Sequence, residues 1–241
     1  MKIVIYIFSV LLFLQTDTTQ KKEIVRYPQY EKGKFDAEIL SVGTLHGEEV
    51  SANAAAKKWF GFFQYSDKTY ELQETKLSFT RVVDQVLGES EEDASAVKIQ
   101  VEDGQQKQGA VIALIEGLDC LKAGISDKLD WYPPKLDSGE SYTFMFQNQP
   151  YTLSAVGMYE LFLESEKDGK MVKTLLASTP FFDEGSIGIL FVGDIDQDGQ
   201  IDLILDNSPK YNAFTPTVYL SSVAGENELV KVVGMGLFVG C

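Results

Sequence analysis

The chain is 241 residues long, with 44% hydrophobic and 24% charged side chains, enough apolar content for a sizeable core and too much for a disordered chain. Its 21 Lys and Arg against 36 Asp and Glu give a formal net charge of −15. That balance opposes the phosphate neutralisation behind nucleic-acid binding and the attraction of basic segments to anionic lipid, so both are set aside as partners.

The first element in chain order is a leader. "MKIVIYIFSVLLFLQTDTTQ" opens with Lys2, runs apolar from Ile3 to Leu14 and turns polar. The run is too short to span a bilayer and no second one follows, so residues 1–20 read as a cleaved secretory signal, with the cut between Gln15 and Gln20. No Cys lies near it, which argues against a lipoprotein anchor. Residues 21–241 then read as a single secreted or periplasmic β-rich domain. In an oxidising compartment its two cysteines, Cys120 and Cys241, form an even count that closes one disulfide; two unpaired buried thiols are the alternative.

Residues 48–58, "EEVSANAAAKK", carry the alanines of a short helix, the one break in an otherwise β-type pattern. Short alternating runs separated by Gly, Asp, Asn and Pro follow, and they pair as consecutive hairpins: "KWFGFFQY" with "TYELQETKLSF", "AVKIQV" with "GAVIALI", "YTFMFQ" with "YTLSAV", and "MYELFLES" with "MVKTLLA". Pro133 and Pro134 interrupt the chain near 127–140, as a subdomain joint or as a long loop within one sandwich. "SIGILFVG", "IDLILD", "TPTVYLSS" and "LVKVVGMGLFV" complete about a dozen strands. The expected fold is all-β: an antiparallel, hairpin-rich sandwich or partly open barrel. No period of 20 to 50 residues recurs, so propellers and solenoids are not supported.

The densest chemistry lies between two of these strands, in "GDIDQDGQIDLILDN", residues 193–207. Counting Asp194 as position 1, carboxylates fall at 1, 3, 5 and 9 (Asp194, Asp196, Asp198, Asp202), Gly199 falls at 6, and Gln200 at 7, where a backbone carbonyl suffices. Calcium takes six to eight oxygens, and alternating Asp residues on a loop turned sharply at a Gly aim their side chains at one centre. An EF-hand would need a Glu at position 12, where this chain has Leu205. The spacing D-x-D-x-D-G-x-x-D between strands resembles the calcium-binding hairpin loops of FG-GAP/VCBS and integrin-type repeats, over residues 187–206 only. The resemblance implies that Asp194, Asp196, Asp198 and Asp202 supply carboxylates and Gln200 its carbonyl. Those families repeat the motif around a propeller, whereas this chain has it once, so neither propeller architecture nor integrin-like partners carry over. The competing reading is an acidic, solvated turn. Against it, four carboxylates around one centre repel by about 1 kcal/mol per pair even in water.

Other constellations are weaker. Trp59, Phe63 and Tyr65 lie on one face of a strand and Phe60 and Phe62 on the other, a sugar-stacking platform if one face is open and core if both are covered. "GESEEDAS", residues 88–95, lacks the alternation of a cation loop. The lone His46 excludes a zinc site with several His ligands, and no G-x-S-x-G elbow accompanies it. Carboxylate pairs for glycoside hydrolysis leave no local signature. The sequence therefore reads as an exported calcium-binding β domain with a structural ion and a non-catalytic binding or structural role toward a protein or glycan. An extracellular hydrolase or carbohydrate-active accessory module is the alternative. Near the acidic loop, Tyr211 and Phe214 are candidate partner contacts, or rings that pack over the loop.

Overall fold

A computed structural model of the chain describes residues 24–66, 68–84, 94–102 and 109–240. Among these are eighteen strands. In chain order they are β1 (Ile39–Leu40), β2 (Gly43–Leu45), β3 (Trp59–Ser66), β4 (Thr69–Thr75), β5 (Leu77–Val82), β6 (Ala96–Val101), β7 (Ala110–Glu116), β8 (Gly124–Ser126) and β9 (Ser141–Phe146). The second half adds β10 (Gln149–Val156), β11 (Glu160–Lys167), β12 (Lys170–Ser178), β13 (Gly188–Gly193), β14 (Asp202–Asp206), β15 (Ala213–Phe214), β16 (Pro216–Leu220), β17 (Lys231–Met235) and β18 (Phe238–Val239).

The all-β expectation holds, as antiparallel sheets without a closed barrel. The sheets stack in layers. In the inner one, ordered β13–β14–β16–β17, Ile189, Leu203, Leu205 and Tyr219 pack on Leu153, Leu161, Leu163 and Leu176 of the sheet β12–β11–β10–β9. Its opposite face, with Phe191, Ile204, Val218 and Leu220, packs on Phe60, Phe62, Tyr70 and Ile115 of the sheet β1–β7–β3–β4–β8. The far side of that sheet, through Trp59 and Leu114, covers Leu45, Val97 and Ile99 of the sheet β2–β6–β5. Burial on both faces explains the apolar run in β14, since an inner sheet has no solvent side for polar residues.

Hairpin chemistry accounts for the outer sheet. Gln147 and Asn148, at φ 46° and 66°, turn β9 into β10, and Asp168 and Gly169, at 52° and 75°, turn β11 into β12; two successive positive φ angles match the right-handed twist of the flanking strands. The pairing of "AVKIQV" with "GAVIALI" is overturned. β6 pairs with β2 and β5, while β7 inserts between β1 and β3 in the next layer. The helix expected at 48–58 reduces to two three-residue 3-10 turns, Gly47–Glu49 and Ala54–Ala56. So short a segment gains little from helix propagation, and tertiary bonds compete for it: Ser51 N and Oγ and Lys57 Nζ bind Glu38, and Trp59 Nε1 donates to Ala54 O at 2.9 Å. Trp59, Phe60, Phe62 and Phe63 are all buried, which makes the aromatic strand core on both faces and removes the sugar platform.

Candidate metal centre

The acidic loop joins β13 to β14 at one end of the inner sheet, and apolar residues peg it on both sides. Ile195 enters the core shared with the five-stranded sheet, and Ile201 enters the core shared with the outer hairpins. The preceding strand ends at Gly193, where a Cβ would lie 2.1 Å from Asp127 O, so only glycine lets residue 127 approach. That approach places Asp194 N 2.8 Å from Asp127 O, and Gln147 Nε2 donates to the Asp127 carboxylate at 3.1 Å. Gln197 adopts a left-handed φ of 63° and reaches across to donate to Lys122 O at 2.9 Å. The loop is thus fastened to chain segments on either side of its sheet.

Inside it, Asp194 accepts the backbone N–H groups of Gln197 at 2.7 Å, Asp198 at 3.2 Å and Gly199 at 2.9 Å, which winds the turn around its carboxylate. Gly199, at φ 83°, supplies the sharp bend expected of it. Asp202, fully buried, accepts Ile195 N at 2.8 Å on Oδ2 and Ser221 N at 2.8 Å on Oδ1. One ligand oxygen from each of Asp194, Asp196 and Asp202 lies within 4.8 Å of the others. Asp196 is 1% exposed, its Oδ2 accepts the Ser222 hydroxyl, the Asp198 backbone N–H also favours its charged form, and its Oδ1 has no hydrogen-bond partner of good geometry. Burial, reinforced by neighbouring carboxylates, raises all three carboxyls above the usual range, Asp202 well above it. Three buried acids facing one another with an oxygen left bare are what a cation neutralises.

Of the five residues expected to bind metal, these three come together, while Asp198 and Gln200 are exposed on the outer side of the loop. Asp198 is tied back through Ser221, whose Oγ stands 3.0 Å from Asp198 Oδ2 and 3.0 Å from Asp202 Oδ1. The sequence reading missed Ser221 and Ser222, which arrive from the end of β16 and carry no local motif. Tyr151, from β10, lies close enough for Asp198 and Asp202 to add to the effect of burial in raising its phenol.

Cys120 sits at the rim. Burial pushes its thiol up, and Ser222 is its hydrogen-bonding neighbour. It is a free thiol, and no disulfide occurs among the described residues; Cys241, the partner expected for it, lies outside them. The signal segment 1–20 and residues 88–93 of the second acidic stretch also lie outside. Tyr211 is 71% exposed, whereas Phe214 is half-buried beside Phe238, so only the first faces solvent as a partner contact would.

No second centre of comparable chemistry is found among the described residues. Glu38 and Glu116 line a cleft of about 350 Å3, but Lys57 Nζ lies 2.9 Å from an oxygen of each, filling the gap where a retaining glycosidase needs its sugar carbon. His46 Nδ1 bonds Asp84 Oδ2 at 2.5 Å, and this partner, with Glu49 nearby, holds the imidazole above its ordinary pKa. A raised histidine pKa contributes stability that is complete below the unfolded value near 6.5 and is lost as pH rises through the folded value. His46→Gln is therefore expected to destabilise the fold most at about pH 5.5, by up to about 1.5–3 kcal/mol, and least at about pH 9, as read from the melting temperature. An equal deficit at both pH values would remove the charged pair from the account.

No protein-family model matches the chain, and no curated protein or solved structure matches it.

Proposed function

We propose that residues 194–202 bind Ca2+ as a structural ion in an exported β protein whose role is to bind a protein or glycan partner, not to catalyse. The observation that carries the ion is the buried Asp196 carboxylate, with Oδ1 unpartnered, facing Asp194 and Asp202. Oxygen-only ligands on a wound loop suit a hard cation, and the spacing resembles the FG-GAP/VCBS hairpin loop, in which residues matching Asp194, Asp196, Asp198, Gln200 and Asp202 coordinate calcium. Magnesium fits less well, because it sheds water reluctantly and demands a stricter octahedron. A structural role follows from where the loop lies: Asp127, Lys122 and Ile201 connect it to neighbouring layers, so an ion that fixes the loop fixes their junction. Calcium is a weak Lewis acid beside the zinc that activates water near neutral pH. The leader at 1–20, read from sequence, supports secretion or delivery to the periplasm.

The test is thermal. An ion that binds only the folded loop adds about 2.7 kcal/mol at a hundredfold excess over its dissociation constant. Melting in excess calcium is expected well above melting in chelator, with magnesium close to chelator. Equal melting temperatures in calcium and chelator would overturn the proposal.

A further inference from the structure

We infer that Ser221 and Ser222 are positioning residues of this ion site, so that cation binding locks the β13–β14 hairpin to the β16–β17 hairpin; the inference rests on the calcium reading above. A serine hydroxyl has one proton to donate. Ser221 Oγ stands 3.0 Å from Asp198 Oδ2 and 3.0 Å from Asp202 Oδ1, so a single hydroxyl proton serves two carboxylate oxygens. Asp202 Oδ1 already accepts Ser221 N at 2.8 Å, which leaves Asp198 as the better recipient of the proton. The hydroxyl thereby tethers an otherwise exposed side chain to the buried triad, a task nothing in the loop performs: the Asp198 Oδ1 bond, to Gln200 N at 2.7 Å, points along the loop itself. Ser222 orients the buried Asp196 carboxylate, donating to Oδ2 and leaving Oδ1 bare for a cation.

A divalent ion among these oxygens takes up the charge of Asp202, so that the Ser221 proton serves Asp198 alone. The fourth carboxylate of the motif reaches the ion only while that hydroxyl holds it. Outer-shell partners of this kind change metal affinity by about 10–100-fold when removed.

Terbium is the probe, excited through Tyr151, whose phenol is near enough for the charges of Asp198 and Asp202 to act on it. Calcium competition against bound terbium gives the affinity, and luminescence lifetimes in H2O and D2O give the number of bound waters. Ser221→Ala is expected to weaken calcium about tenfold and to raise the water count as Asp198 leaves, with Ser221→Thr restoring both. Ser222→Ala, at an exposed position, is expected to weaken calcium similarly and keeps the test decisive should Ser221→Ala fail to fold. Wild-type affinity and an unchanged water count in the alanine variants would overturn the inference while leaving the calcium reading intact. A wild-type protein that binds neither terbium nor calcium would remove both.

Discussion

Asp196→Asn is expected to melt above the wild type in chelator and below it in calcium. In chelator the variant loses a buried negative charge that faces Asp194 and Asp198, with the Ser222 hydroxyl and the Asp198 backbone N–H as its donors. Each carboxylate pair at the 4.8 Å limit of the cluster repels by about 1 kcal/mol even in water and by more when buried. The amide also brings two donors to a site crowded with acceptors. In calcium the same change deletes a ligand charge, so most of the gain of about 2.7 kcal/mol at hundredfold excess disappears. For a chain of this size 1 kcal/mol moves the melting temperature by about 2–4 °C, so a calcium-induced rise of about 5–10 °C should shrink to nearly nothing. A variant that melts below the wild type by the same amount in both conditions would mean that Asp196 serves only as an acceptor for Ser222.

Phe191→Ala is expected to cost about 3–5 kcal/mol, as for the other fully buried aromatic side chains of this fold. Phe191 is fully buried, meets Phe62 edge-on at 4.7 Å and Tyr70 at 5.1 Å, and belongs to the cluster between the inner and five-stranded sheets. Its ring also lies over Gly193, where a Cβ would come within 2.7 Å of it. Alanine leaves a cavity among aromatic side chains that rigid sheets on both sides cannot collapse to fill. Urea unfolding should show the midpoint falling with little change in slope, and a cost under about 1 kcal/mol would mean that the layers are not packed through this ring.

The acidic loop was legible because its chemistry is local. Spacing, the turn glycine and the flanking strands all lie within residues 187–206, and no distant residue is needed to see them. The outer hairpins were legible for the same reason: "DG" states its own turn geometry, and the turn expected at "NQP" lies one residue earlier, at Gln147 and Asn148. What escaped was set by tertiary packing. Nothing in "AVKIQV" or "GAVIALI" says that one strand pairs with β2 and β5 and the other inserts between β1 and β3. "IDLILD" reads as alternation for a half-buried sheet, yet Leu203, Ile204 and Leu205 are all buried because the sheet is covered twice. The site was legible in part. Its triad could be read, but Ser221 and Ser222 lie about twenty residues downstream of the loop and look like any polar strand end. The alanines of 54–56 illustrate the reverse error, in which intrinsic preference yields to the bonds that Glu38 and Trp59 make nearby.

The position of the inner sheet in the chain bears on how the molecule is born. Strands β1–β8 and β9–β12 precede it, so during synthesis or passage across a membrane both flanking layers emerge while the wall that each must cover is still missing. Phe62, Leu72 and Ile115 on one side, and Leu153, Leu161 and Leu176 on the other, then present two sticky surfaces that can find each other or a neighbouring chain before β13–β17 arrive. The last quarter of the chain thus supplies the wall that both surfaces share, and the acidic hairpin is among the first parts of that quarter to appear.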